Sequence, residues 1–164
     1  MTKTLLFDWG NTIMVDFALP GPMCSWDKVD LVDGAENALQ VLSGKYECYL
    51  ATNAGASTTQ EVLLALSRAD VDQFFSGVFL ADELGFSKPD VRFFNAIIDR
   101  LDLPPDSFVM IGDNYFNDCI GAKKAGMKTV FFNKNRVTGS FPMADAVISS
   151  MTELAGKFSI LLTG

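Results

Sequence analysis

The 164-residue chain has no histidine at all. That absence excludes Ser-His-Asp and Cys-His catalysis, His-ligated zinc and imidazole general bases. Cysteine is scarce too: Cys24, Cys48 and Cys119 form an odd, unpatterned set with no CxxC pair. Such a set reads as reduced thiols rather than a disulfide framework or a zinc site, and a cytoplasmic protein is expected. Positive charge is in short supply, with 13 Lys+Arg against 20 Asp+Glu and a net charge of −7. A nucleic-acid partner is therefore not expected, since the basic footprint is missing. Small phosphorylated substrates stay open, because a bound cation locally reverses an acidic site. No run approaches the roughly 20 apolar residues of a membrane helix. The first apolar stretch, Leu5-Leu6-Phe7, ends at Asp8, too soon for a signal peptide, so no membrane association is expected.

What is present is apolar and aromatic: 49% hydrophobic residues, 14 of them Phe, and 20% charged. This composition belongs to an ordered globular chain. At about 100–200 residues per domain, residues 1–164 make one domain, large enough to bury about 70% of its unfolded surface.

Short apolar runs alternate with helical patterns. Strands are expected at Leu5–Phe7, Tyr46–Ala51, Val78–Leu80, Phe108–Ile111, Thr129–Phe132 and Ala146–Ile148. Between them, Asp33-Gly34-Ala35-Glu36 and Ser57-Thr58-Thr59-Gln60 read as capping boxes opening helices. Asp90 caps a helix whose inner face is Phe94, Ile97, Ile98 and Leu101. A helix runs from the Gly112-Asp113 turn through Lys124, with Gly126 as its left-handed end, and another spans Thr152–Phe158. The expected fold is α/β: a doubly wound, mainly parallel sheet of five to six strands with helices on both faces. In such sheets the site lies at the carboxyl ends of the strands, where strand order reverses. Asp8, Thr52 and Asp113 each follow a strand, so all three are expected in one crevice.

Each residue alone has an ordinary reading. Asp8 suits a turn cap, Asp113 an N-cap, and Asp118 a first-turn acid near a helix dipole. Lys88 suits a surface lysine, and Thr52 a strand-end hydroxyl on the backbone. Together they point further. Converging carboxylates suit a hard cation such as Mg²⁺, and a lysine with a hydroxyl suits a phosphoryl group. A carboxylate is itself a competent nucleophile. Phosphoryl transfer needs mainly positioning and charge neutralisation.

Four motifs in this order resemble the haloacid dehalogenase (HAD) superfamily, most of whose members are Mg²⁺-dependent phosphatases. They are Leu5-Leu-Phe-Asp8-Trp-Gly-Asn-Thr12, Thr52-Asn53, Lys88-Pro89-Asp90, and Gly112-Asp113 through Asp118. The resemblance covers about the whole chain, and Gly85 through Gly126 is most similar to the phosphoglycolate phosphatase and β-phosphoglucomutase branch. It implies Asp8 as nucleophile and metal ligand, with the Gly10 carbonyl as backbone ligand. It implies Thr52 and Asn53 on the phosphoryl group, and Lys88 neutralising nucleophile and phosphate. Asp113 would ligate Mg²⁺ and Asp118 would support it.

Two departures qualify the resemblance. Phosphatases of this superfamily usually carry a second Asp two residues after the nucleophile, as general acid and base; here that position is Gly10. Losing such a group costs about 10²–10⁴-fold, or about 3–5 kcal/mol of barrier. The chain is then a slow phosphatase or one for good leaving groups, or it uses a substitute such as Asp16, or it binds phosphate or a partner without turnover. A 2-haloacid dehalogenase is a more distant reading, since that chemistry does not need the metal cluster. A glycine suited only to a tight turn is the plain reading.

The second departure is length. Only 44 residues separate Asp8 from Thr52 and 36 separate Thr52 from Lys88, so there is no room for the superfamily's usual cap domain. Residues 13–30 remain as a flap or minimal lid. An open site suits a large phosphorylated substrate, or a partner subunit as lid. The apolar stretch Phe17–Trp26 reads equally as a loop over its own core, a specificity flap or a homodimer contact.

Overall fold

The computed structural model describes residues 3–161, apart from the side chains of 159 and 160. The apolar runs form one six-stranded sheet: β1 Thr4–Phe7, β2 Glu47–Thr52, β3 Gly77–Leu80, β4 Phe108–Gly112, β5 Lys128–Phe132 and β6 Ala146–Ile148. Its order is β3-β2-β1-β4-β5-β6 and every neighbouring pair is parallel. β1 lies between β2 and β4, with Phe7 opposite Leu50 on one side and Ile111 on the other. All four β1 residues are buried, as a central parallel strand covered on both faces requires. Successive side chains feed opposite layers. Leu5 and Phe7 join the larger core with Leu39, Leu66 and Leu154, whereas Leu6 joins Phe93, Phe94 and Met110.

Helices α1 (Ala35–Ser43), α2 (Thr59–Arg68) and α6 (Leu154–Leu161) contribute to the larger core, and α4 (Val91–Leu101) and α5 (Gly121–Lys124) to the smaller; α3 (Ala81–Leu84) is a single turn after β3. Strand order reverses between β1 and β4. That pair of carboxyl ends is the switch point where an open α/β sheet leaves a crevice.

Several local expectations shift. α1 has no side-chain cap; Gly34 stands at its N-cap with φ 80°. A Cβ there would meet Thr152 Cγ2 at 2.8 Å, so the chain's closing segment fixes this glycine. The α2 capping box is Thr58 with Glu61, one residue beyond the predicted pair. On α4, Phe93 is fully buried beside Phe94 and Ile97, while Ile98 and Leu101 are half-buried. After β4, residues Tyr115–Ile120 take π-helical turns before α5.

Residues 13–30 leave the sheet and return. Their base is closed by an antiparallel bridge between Met14 and Leu31, by Val15 N–H donating to Asp30 O (2.9 Å) and by Val32 N–H donating to Ile13 O (2.9 Å). Met23 and Trp26 fold under as core residues. Arg68, at the end of α2, donates through Nη1 to Cys24 O (2.8 Å) and Trp26 O (2.6 Å), and through Nη2 to Asp27 O (3.4 Å). Among the described residues, no helix is long and apolar enough to cross a membrane.

Candidate active site

The carboxyl ends of β1, β2 and β4 open into a cleft of about 500 Å³. Asp8 follows β1, Thr52 ends β2, and Asp113 follows β4; Lys88 arrives from the loop before α4 and Asp118 from the π-helical turns. All five line the cleft, as do Gly10 and Asn53.

At its floor, Asp8, Asp113 and Asp118 offer carboxylate oxygens that all lie within 4.8 Å of one another. Lys88 is their counter-charge. Its Nζ donates to Asp118 Oδ1 at 2.7 Å and to Asp8 Oδ1 at 2.9 Å, with the lysine side chain only 2% exposed. Burial alone would lower the lysine's pKa, but the Asp118 and Asp8 charges outweigh it and hold the pKa above the usual lysine value. One lysine does not balance three acids. Burial, then the neighbouring Asp8 and Asp118, push Asp113 up to about 8. Burial and Asp8 push Asp118 up to about 7 against the pull of Lys88.

Three residues build this floor by contacts that the sequence does not show. Thr12 is fully buried. Its hydroxyl accepts from Asp113 N–H (3.1 Å) and lies 3.2 Å from both Asp8 Oδ2 and Asp113 Oδ1, so its single proton serves either carboxylate. Asn53 spends its amide on the backbone of Lys88: Nδ2 donates to Lys88 O (3.1 Å) and Oδ1 accepts from Lys88 N–H (2.8 Å). That clamp joins the β2 end to the lysine loop. Gly112 is needed for room, because a Cβ there would meet Asp118 Oδ2 at 2.0 Å. Asp118 Oδ2 also accepts from Asn114 N–H (3.0 Å), a contact set by the π-helical geometry. Thr12 and Gly112 belong to motifs visible in the sequence; their roles depend on approaches between distant segments.

The Thr52 side chain makes no hydrogen bond among the described residues and is presented to the cleft. Gly10 is not in the left-handed region, and a Cβ there would meet nothing closer than Asp16 Cβ at 3.5 Å. The turn therefore does not require glycine, and the plain turn reading of Gly10 is not what the backbone shows.

The opposite wall of the cleft is the flap. Asp16, Ala18, Leu19, Gly21, Met23 and Trp26 face the floor.

A family model for haloacid dehalogenase-like hydrolases matches residues 23–132, two thirds of the chain. The chain belongs to this family. The matched span of the HAD-like hydrolase holds Thr52, Lys88, Asp113 and Asp118, while Asp8 precedes it. Among curated relatives, glyceraldehyde 3-phosphate phosphatase of Methanothermobacter thermautotrophicus is 37% identical over 68 residues, 42% of this chain and 30% of that protein. The HAD-hydrolase YfnB of Bacillus subtilis is 31% identical over 104 residues, 63% of this chain and 43% of that protein. The matches thus span less than half of these relatives' length. A solved structure of YfnB bound to magnesium has a TM-score of 0.78 over 98% of both chains at 19% identity. An uncharacterized protein from Listeria monocytogenes serotype 4b reaches 0.86 over 99% of both chains, also at 19% identity. At that identity the likeness is one of fold.

Proposed function

We propose that this HAD-like hydrolase is a Mg²⁺-dependent phosphatase of small phosphate monoesters, acting through an aspartyl-phosphate on Asp8. The observation that carries the reading is the floor of the cleft: three converging carboxylates tied to one buried lysine at the switch point of the sheet. The phosphatases among its curated relatives support it. The donor set fits the metal, because the carboxylates are all-oxygen, lie within 4.8 Å, and carry more negative charge than Lys88 offsets. Asp8, Asp113 and Asp118 would hold Mg²⁺, which when bound supplies positive charge against the phosphoryl oxygens.

The chain's own residues do the rest. Lys88 fixes the Asp8 carboxylate by one oxygen and offsets charge as the phosphoryl group approaches. Thr12 steadies the Asp8 and Asp113 carboxylates, and Thr52 offers its hydroxyl to a phosphoryl oxygen. Asn53 acts as a positioning residue through the backbone of Lys88. The flap closes a cleft of about 500 Å³, a volume suited to a small molecule rather than a macromolecule. Its Leu19, Met23 and Trp26 give the substrate body an apolar wall.

A panel of phosphate monoesters assayed with Mg²⁺ and with chelator tests the reading, with Asp8→Asn as the blank. Mg²⁺-dependent turnover by the wild type and none by Asp8→Asn is expected; equal inertness on every ester overturns it. The missing side chain at Gly10 favours a second reading, a phosphate-binding protein without turnover. Calorimetric binding of inorganic phosphate with no hydrolysis above the blank would select it.

A further inference from the structure

We propose that Asp16, carried on the flap, is the residue that protonates the leaving group and then activates water. The proposal rests on the hydrolase reading above and supplies a group that the floor lacks.

An alkoxide is a poor leaving group, and a positioned acid typically contributes about 10²–10⁴-fold to its departure. Five charged side chains line the cleft: Asp8, Asp16, Lys88, Asp113 and Asp118. Four of them form one cluster. Lys88 is ion-paired to Asp8 and Asp118, and the three floor carboxylates face one another within 4.8 Å. Their protons and charges are committed to the phosphoryl end. No other lining side chain is a proton donor and acceptor of carboxyl type. Asp16 alone stands outside this cluster, on the facing wall and exposed at the mouth, where the alcohol leaves and water enters.

Its carboxylate is held in place. Oδ1 accepts from Ala18 N–H (2.8 Å), and the Asp16 N–H donates to Asn11 Oδ1 (2.9 Å). The next residue back, Val15, is fixed to Asp30 across the base of the flap. Oδ2 has no hydrogen-bond partner among the described residues. It lies 3.7 Å from the point a Cβ on residue 10 would occupy, two residues beyond Asp8 in the same turn. The free oxygen of Asp16 is therefore close to the nucleophile's own loop.

The step balances. An Asp8 carboxylate oxygen bonds to phosphorus as the P–O bond to the alcohol breaks, and the Asp16 carboxyl proton passes to the alcohol oxygen. The Asp16 carboxylate then takes a proton from water as that oxygen attacks phosphorus. Inorganic phosphate leaves, the Asp8 carboxylate is restored, and Asp16 is protonated again.

The test compares a simple alkyl phosphate, whose leaving group needs a proton, with 4-nitrophenyl phosphate, whose leaving group does not. Asn at position 16 keeps the Oδ1 acceptor for Ala18, so the flap turn is preserved. Asp16→Asn should lower kcat/KM, which reads the steps through departure of the alcohol, by about 10²–10⁴-fold on the alkyl ester and by less than about tenfold on 4-nitrophenyl phosphate, while the shared water step lowers kcat on both. The ratio of the two rates does not depend on the folded fraction. Adding Gly10→Asp to Asp16→Asn should recover alkyl-ester turnover, since that side chain has room and reaches the same point. Equal loss of kcat/KM on both esters, or no loss on either, overturns the role of Asp16 while leaving the hydrolase reading standing. If the wild type is no faster than Asp8→Asn on both esters, hydrolysis itself falls and the role of Asp16 with it.

Discussion

The two walls of the cleft are built by opposite means. The floor is charged and half to fully buried, assembled from four segments far apart in the chain and held by side chains on side chains: Lys88 on Asp8 and Asp118, Thr12 between Asp8 and Asp113. The flap is one continuous segment, held by its own backbone carbonyls on Arg68 and by two apolar anchors, Met23 and Trp26. In the floor the position of each charge depends on the others, so a single change disturbs several. In the flap the backbone and two buried anchors hold the shape, while exposed side chains such as Ala18 and Leu19 are free to vary. On the reading proposed above, the phosphoryl group belongs to the first kind of wall, and substrate fit, with the one proton carried by Asp16, to the second.

The comparison is broken hardest at Lys88. Lys88→Ala leaves the buried Asp118 and the half-buried Asp8 uncompensated, and the metal-free protein should lose about 3–5 kcal/mol of stability, read from the shift of its urea midpoint. Turnover should vanish even where the fold survives. Gly112→Ala should act next, on the metal rather than the fold. A methyl 2.0 Å from Asp118 Oδ2 must displace that carboxylate, so Mg²⁺ affinity by calorimetry should drop about 10–100-fold, the scale of losing a supporting group.

On the flap the effect should be smaller and of another kind. Arg68→Met removes a charged donor from three carbonyls and should cost about 1.5–3 kcal/mol. Because it loosens the Cys24–Asp27 end of the flap, while Asp16 is held separately by Asn11 and its own turn to Ala18, KM should rise several-fold with kcat nearly unchanged. A matching fall in kcat would mean the two walls are not separable.

The gentlest test is pH. Asp113 and Asp118 have folded-state pKa values raised above those of the unfolded chain, to about 8 and about 7. The folded metal-free protein then holds protons that the unfolded chain releases, so stability falls as pH rises from about 4 to about 8. The melting temperature without metal should drift down between pH 6 and 8. Mg²⁺ should reverse the drift, since metal binding needs the deprotonated carboxylates and strengthens with pH. A melting temperature that climbs with pH without metal would contradict the crowded-acid account of the floor.

Much of the floor was legible in the sequence, because strand-end position is a local property. Asp8, Thr52 and Asp113 each follow an apolar run, and the α/β alternation sends such ends to one edge of the sheet. Asn53 was legible as a site residue but not in its task, since a clamp on the Lys88 backbone depends on a neighbour 35 residues away. Residues 13–30 read as irregular and Phe17–Trp26 as apolar; the structure adds one 3₁₀ turn at Met23–Ser25, and the segment's place as a wall waits on Arg68, a residue that looks like an ordinary helix end.

The sequence by itself determined the alternation of strands and helices, the exclusion of histidine chemistry, and the set of aspartates, lysine and threonine available to the site. Those follow from residue type and local period, which need no partner. The tertiary structure decided that the sheet turns between β1 and β4, that one lysine faces two of three acids, and that Asp16 returns beside residue 10. Each of these joins residues distant in the chain, and such contacts are fixed by how the whole core packs rather than by any segment's own preference.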